Sequence, residues 1–445
     1  MGAGRESSHV RRAHGVRTGR RLLAETGSSG LHSGLPSRWI GRVHLTPLFF
    51  LSALVLVAYL FEVTAPRTRV PTVLLLLALG IGTRLLLDGV GVKIPDLAKA
   101  LPMVGTFGLI LIVFEGALEL QLERDRASMI GRAFLVALLP LAAFVACLAW
   151  YLMRSTEADL HAALLNALPF AVISSAVAVP TARAFSRATS EFVVYESSFS
   201  DILGVLGFQL VLSTASFGVG TLVQFGGEML AILALALVGS GLLALLLAKL
   251  RHRVKFVPIL AFVVLLYSAA KAFHLPALLL VLVFGLALAN YRKLRERIGR
   301  VLPAAEAVES EVHRFSELVT EATFVVRVTF FVLFGFLVDL ESLADTHTLG
   351  IAAGIVGLAL ALRLLQLLAV RMPVLPLLFL APRGLITVLL VLSIPAAERL
   401  ALMTDGLTTQ VVALSCLAMM AATLGSGSAR SDAQKKSANT STPTA

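Results

Sequence analysis

Residues 194–210, VYESSFSDILGVLGFQL, place two carboxylates, Glu196 and Asp201, among serines between long apolar runs. On a helix Ser197, Ser200, Asp201 and Gly204 fall at i, i+3, i+4 and i+7 and share one face. Glu196 and Ser200 form a neighbouring stripe. A carboxylate flanked by hydroxyls is a cage of hard oxygen donors, able to replace the water shell of a small cation. The same carboxylate takes a proton instead. Two cations competing for one carboxylate is the chemistry of an exchanger. The other reading of the cluster is a satisfied network of hydrogen bonds between helices.

Further ionisable residues sit in equally apolar surroundings, where charge is expensive and usually functional. GLILIVFEGALELQLERDR carries Glu115 and Glu119 at i and i+4. Glu119 lies near the end of its run and reads as water-facing, Glu115 lies deeper, and Glu62 reads as an interfacial charge. Arg327 in ATFVVRVTFFVLFGFLVDL and Arg363 in GLALALRLLQLL each need an anion, and Glu196 and Asp201 are the obvious partners. One arginine would hold Glu196 ionised as a structural pair. The other would occupy the ion site once the metal has left. Sequence leaves open which does which.

Two runs carry helix breakers. LPFAVISSAVAVPTARAF has Pro169, the Ser174-Ser175 pair and Pro180, and LPLLFLAPRGLITVLLVLSIP has Pro382, Arg383 and Gly384 in mid-run. Proline cannot donate the helical bond and clashes with the preceding turn. Each run is then either a simple proline kink or a discontinuous helix. Discontinuous helices at matching places in two halves of a transporter mark a midplane ion site. Arg383 would sit at such a break and offset exposed carbonyl dipoles.

The elements that must position these groups follow from composition. Of 445 residues, 57% are hydrophobic and 15% charged, with a mean hydropathy of +0.88. Soluble domains keep about a quarter of their residues charged. Apolar runs of membrane-crossing length recur from 46 to 425, and in lipid such runs must be helices. The expectation is an all-α polytopic membrane protein of about thirteen transmembrane helices. The spans read 46–64, 70–88, 102–120, 130–153, 161–181, 192–215, 228–248, 256–273, 275–291, 318–338, 348–370, 374–395 and 407–425. The connection from Tyr291 to Glu317, opening YRKLRERIGR, is expected to hold a helix along the membrane surface. Cys147 and Cys416 both fall inside spans and make no disulfide framework.

The net charge of +11 reads as loop charge facing the cytoplasm, not as a nucleic-acid surface. Lys and Arg gather in alternate connections and the C-terminal tail, against Lys93, Lys99, Arg154, Lys271 and Arg399 opposite. This bias puts the C-terminus in the cytoplasm. The arginine-rich segment 1–45 has no apolar signal region and reads as a disordered basic extension, natural or artificial. Residues 426–445 read as a disordered tail. With thirteen spans segment 1–45 would lie outside, against the bias, so twelve spans stay open.

These residues resemble the monovalent cation:proton antiporter superfamily, the sodium/proton exchangers. FEGALEL resembles that family's third-span pattern, ESSFSDILGVLGF its E-x-x-x-N-D segment, FFVLFGFLVDL its F-F-x-x-x-G segment, and APRGLITVLLVLSIP its R-G segment before S-x-P. The four stand in order across 46–425. The resemblance implies a homodimer, each protomer with a dimerisation domain and a mobile core, and two inverted repeats supplying crossed discontinuous helices. It implies that Asp201 binds Na⁺, Li⁺ or a proton, with Ser197 and Ser200 beside it and Glu196 paired to an arginine. Glu115 matches an additional acidic position of some members. The family's N-D or D-D pair is Ser200-Asp201 here, and its T-D-P is Ser174-Ser175-Ala176, without an acid. One central carboxylate suggests electroneutral exchange.

The function expected is antiport of Na⁺, or Li⁺ or K⁺, against H⁺, with no cofactor and no enzymatic activity. Activity would follow cytoplasmic pH, serving pH homeostasis. The alternative within transport is potassium efflux or movement of another small ion coupled to protons. An intramembrane hydrolase would need a base beside a serine, and His161, His252, His274, His313 and His347 all lie at span ends or in loops. A receptor or scaffold would leave a mid-membrane acid without a task. Arginine usage and the lack of organellar signals fit a bacterial inner (plasma) membrane, where lipid is the surrounding partner.

Overall fold

The computed structural model describes residues 47–68, 70–90, 100–120, 127–182, 185–213, 219–249, 256–273, 275–298, 305–375 and 377–439. The chain divides after Phe50 into two units, and the packing below is that of Leu51–Ala445. The expectations for segment 1–45, for residues 440–445, and for basic residues such as Lys93 and Lys99 lie outside the described residues.

Among the described residues the elements are helices, with no strand. They are α1 (Pro47–Thr68), α2 (Thr72–Val90), α3 (Ala100–Glu119), α4 (Ala127–Thr156), α5 (Leu160–Ala171), α6 (Ser175–Ala182), α7 (Arg187–Ser213) and α8 (Val219–Lys249). Then follow α9 (Phe256–Ala272), α10 (Ala277–Ala289), α11 (Tyr291–Ile298), α12 (Ala305–Leu337), α13 (Leu340–Ala344), α14 (Thr346–Ala369), α15 (Leu385–Ser393) and α16 (Asp405–Asn439).

Each of the predicted spans contains helix, but only 8 segments among the described residues are long and apolar enough to cross a membrane, α5 and α6 together making one of them. Ser52–Ala65, Val257–Ala272 and Ala277–Ala289 are apolar but shorter. The polar cluster of α7 leaves it too polar to be one of the 8, and among the described residues of 374–395 helix is confined to α15.

The charged connection 291–317 holds a helix, α11 (Tyr291–Ile298), and from Ala305 the chain is in α12. Glu309, Glu311, Glu317 and Glu321 are good helix formers, so the helix starts well before its apolar half. Within the segment expected as a tail, α16 runs to Asn439.

Packing sorts the helices into two bundles. In one, α12 lies on α2 and α3, and α10 on α3, α8 and α9. In the other, α4 packs on α5, α7 and α14, α6 on α7, and α16 on α14 and α15. The bundles meet where α3 and α10 touch α7 and where α3 touches α15.

The closest backbone approach in the first bundle is at two glycines. A Cβ on Gly80 would collide with the Val332 carbonyl oxygen, and one on Gly335 would sit 2.5 Å from the Leu77 oxygen. Small residues allow this where no hydrophobic drive exists between helices in lipid. Gly335→Ala should therefore lower the melting temperature in detergent, at a cost of about 1–3 kcal/mol for overpacking. Gly350→Ala, whose Cβ meets nothing within 4 Å, should not. Equal melting temperatures would mean α2 and α12 are not in backbone contact.

The chain crosses between bundles at Val338–Asp345, and this crossing is held at both ends. Arg84 of α2 donates to the Val338 carbonyl at 2.7 Å. Gln410 of α16 donates to the carbonyls of Leu343 at 2.9 Å and Asp345 at 3.2 Å. Asp345 caps α14 by accepting from the N–H groups of His347 and Thr348, which hold its carboxyl below the usual range.

Candidate functional site

The site grows from a gap in the second bundle. α5 ends at Ala171, Val172–Ser174 are not helical, and α6 starts at Ser175. Val172 and Ile173 are β-branched and suit extended backbone. Serine suits a helix start. The second breaker run behaves alike, with Leu380–Gly384 not helical and α15 starting at Leu385. The two gaps touch: the Ser174 N–H donates to the Pro382 carbonyl at 2.9 Å.

Against these gaps lies α7. A Cβ on Gly204 would collide with the Val172 side chain, so glycine is what lets α7 approach. The Ser200 hydroxyl accepts the Ile173 N–H at 2.9 Å, satisfying a donor that the gap leaves free. Ser200→Ala would orphan that buried N–H, at about 1–3 kcal/mol. A clear drop in melting temperature is expected, and an unchanged one would mean another partner takes the N–H. Ser197 is turned into its own helix, donating to the Val193 carbonyl at 2.7 Å.

Asp201 stands one residue further. It is half-buried. The hydroxyl and N–H of Ser175, the first residue of α6, face its carboxylate, and the charge of Glu119 on α3 reaches it from the other bundle. A carboxylate at a helix start meets unpaired N–H groups and the positive end of the dipole. Its Oδ1 is buried with no hydrogen-bond partner among the described residues, and so are Ser174 Oγ and Thr387 Oγ1.

The arginines separate. Arg363 grips Glu196 with two parallel bonds, Nη1 to Oε1 at 2.6 Å and Nη2 to Oε2 at 3.0 Å, while its Nε donates to the Leu377 carbonyl. Both side chains are buried, 4% and 1% exposed. Arg327 on α12 lies beside Glu115 on α3, together with Thr320, Thr323 and Glu119. Arg383 is spent on backbone: Nε donates to the Phe170 carbonyl, Nη1 to the Ala381 carbonyl, and the guanidinium sits 5.6 Å from the centre of the Phe144 ring. Phe170 O is one of the carbonyls left over at the end of α5, so a full positive charge stands on the negative end of a half-helix.

Of the residues singled out from sequence, Asp201, Ser174, Ser175 and Ser200 meet at the paired gaps. Glu196 with Arg363, and Arg383, brace the same region. Glu115 and Arg327 form a separate group across the bundle interface, linked to Asp201 through Glu119. Sequence reasoning read Glu119 as water-facing. The signal for a role was its i, i+4 spacing from Glu115. Thr387 was not singled out at all.

A family model described as sodium/hydrogen exchanger, transmembrane, matches residues 51–429. The fold is similar to a structure of the sodium proton antiporter MjNhaP1 from Methanocaldococcus jannaschii at pH 8, with a TM-score of 0.63 at 17% identity, covering 84% of this chain and 96% of that one. A structure from an electron-microscopy map of MjNhaP1 from the same organism gives 0.60 at 17% identity, covering 89% and 99%. At that identity the likeness is one of fold. No curated protein sequence matches the chain.

Proposed function

Because the chain belongs to the sodium/hydrogen exchanger family, a family of membrane antiporters, we propose that it exchanges Na⁺, or Li⁺ or K⁺, for H⁺ at Asp201. One observation carries the assignment. A carboxylate oxygen without a hydrogen-bond partner is held where two non-helical gaps meet. Burying such an atom is costly unless something binds it, and either a dehydrated alkali cation or a proton would.

The remaining roles follow from charge. Arg363 holds Glu196 in a buried bidentate pair and out of the exchange. Arg383 and the α6 start offset the opposed ends of the half-helices. Arg327 is a tethered cation that neutralises Glu115, the additional acid, when no metal is near. Ser174, Ser175 and Ser200 supply neutral oxygens around Asp201, while Ser197 spends its hydroxyl on its own helix. Alternating access would slide the second bundle, as a mobile core, past the first, as the dimerisation domain of a homodimer. The gapped helices would then be the crossed pair of two inverted repeats. About thirteen spans with the C-terminus in the cytoplasm of a bacterial inner membrane complete the reading.

The test is proton flux in proteoliposomes with an internal pH dye. Na⁺, Li⁺, K⁺ and choline are added in turn to a preformed pH gradient. Dissipation by an alkali cation but not choline is expected. Response to K⁺ alone would select the potassium-efflux alternative, and no response to any would overturn the proposal. Proton and cation compete for one carboxylate, so the half-saturating cation concentration should rise as pH falls, with the maximal rate changing less. A half-saturating concentration independent of pH would exclude a shared site.

A further inference from the structure

Thr387 lies in the first turn of α15 and is 1% exposed, yet its hydroxyl has no hydrogen-bond partner among the described residues. Thr323 of α12 shares that state, while other hydroxyls of the chain are committed. Thr83, Thr181, Thr329, Ser393 and Thr408 all spend their hydroxyls on the carbonyl four residues back, the usual retreat for such a group in an apolar helix. For Thr387 that position is Arg383, which precedes the N-cap Gly384 and is outside the helix. No helical carbonyl therefore stands four residues back, and a buried hydroxyl is left uncommitted.

Its location gives the uncommitted oxygen a use. Gly384 is the N-cap of α15, and a Cβ there would lie 2.5 Å from Ser174 Oγ. The start of α15 is thus pressed against the α5–α6 gap. Thr387 is the third residue of the helix, and a side chain at that position stands over the N-cap. Helical geometry puts it toward the side of α15 that meets Ser174, a residue 2% exposed whose hydroxyl has no partner among the described residues. Ser174 precedes Ser175, which faces Asp201. α15 also packs on α7, which bears Asp201, and on α3. Three buried oxygens with no partner, Ser174 Oγ, Asp201 Oδ1 and Thr387 Oγ1, so come from the three elements that converge on the gaps.

We propose that the Thr387 hydroxyl is a further oxygen ligand of the transported alkali cation and helps determine which cation is accepted. The proposal rests on the antiport reading with Asp201 as the shared carboxylate. A hydroxyl presents its lone pairs to a cation while its proton points away, and the choice between Li⁺, Na⁺ and K⁺ depends on ligand number and cavity size as it does for other hard cations. Deleting a neutral ligand should weaken cation binding and leave the proton step of Asp201 in place. Removal of ground-state binding appears as a raised KM with kcat preserved.

The experiment is proteoliposome flux for the intact chain and for Thr387→Val, Thr387→Ala, Thr387→Ser and Asp201→Asn, each checked by size exclusion, with Na⁺, Li⁺ and K⁺ titrated separately. Thr387→Val should raise the KM for the preferred cation about tenfold, equivalent to roughly 1.4 kcal/mol, at little-changed kcat, and should alter the ratio of KM values between cations. Thr387→Ser should return both toward wild type. If Thr387→Val does not fold, Thr387→Ala carries the same expectation with less bulk. Wild-type KM values and ratios in the folded Val or Ala variant, with Asp201→Asn inactive, would overturn the Thr387 proposal and leave the Asp201 reading standing. No alkali-driven flux from the wild type would overturn both.

Discussion

Asp201→Asn is expected to reduce cation-driven proton flux to that of empty liposomes, with the protein still folded. Asparagine keeps the shape of the side chain and one carbonyl oxygen, but it can neither take a proton nor carry the charge that draws a cation out of water. Asp201 Oδ1 lacks a partner that this change would strand. The Ser175 hydroxyl and N–H that face the carboxylate can still meet the amide oxygen. Stability should therefore change little while exchange disappears, and thermal unfolding beside the flux assay separates the two. Asp201→Glu tests geometry: the carboxylate returns one methylene further out, so residual exchange with a shifted KM is expected. Wild-type flux from Asp201→Asn would sink the assignment.

Glu196→Gln and Arg363→Gln should have the opposite profile. Each breaks a buried bidentate pair and leaves its partner charge unpaired, a loss of about 3–5 kcal/mol. In Glu196→Gln, Arg363 would keep the Leu377 carbonyl and one neutral amide oxygen, with no charge to meet its own. The expected result is a large fall in melting temperature and yield, with flux per folded molecule much less affected. The double variant Glu196→Gln/Arg363→Gln removes both charges and should recover part of the loss. The double-mutant cycle with the two single variants then measures the coupling directly. A melting temperature in Glu196→Gln equal to that of wild type would show that the pair does not hold α7 to α14.

Much of this was legible because lipid makes polarity conspicuous. The cluster on α7 stood out against apolar neighbours, and so did the Pro-Arg-Gly and Ser-Ser interruptions. What sequence could not supply was registration between distant helices. Arg327 and Arg363 are equivalent as isolated mid-span cations. Only the packing of α14 on α4 and of α12 on α3 gives one Glu196 and the other Glu115. Ser197 and Ser200 share a face with Asp201 in sequence, yet one hydroxyl turns to its own helix and the other to Ile173, because the gap supplies a better donor. Thr387 escaped for a related reason. A lone threonine in an apolar helix bonds back to its own turn by default, and its failure to do so depends on where α15 starts, which the run of apolar residues does not reveal. The early start of α12 was missed because its charged turns resemble a loop until they are seen continuing into the apolar half.

The Glu196–Arg363 pair also bears on how the chain is made. Its members are 167 residues apart. At roughly 5–20 residues per second, α7 leaves the ribosome on the order of ten to thirty seconds before its counter-charge exists. Through that interval Glu196 lacks the arginine that holds it in the folded chain. A helix in that position is poorly suited to settle in lipid alone, and α7 is among those too polar to qualify as a membrane segment by composition. Its final seat in the bilayer must wait for α14, so the second half of the chain completes the insertion of the first. Truncation before Arg363 would accordingly leave α7 accessible to water-soluble labels, and extension past it would close that access.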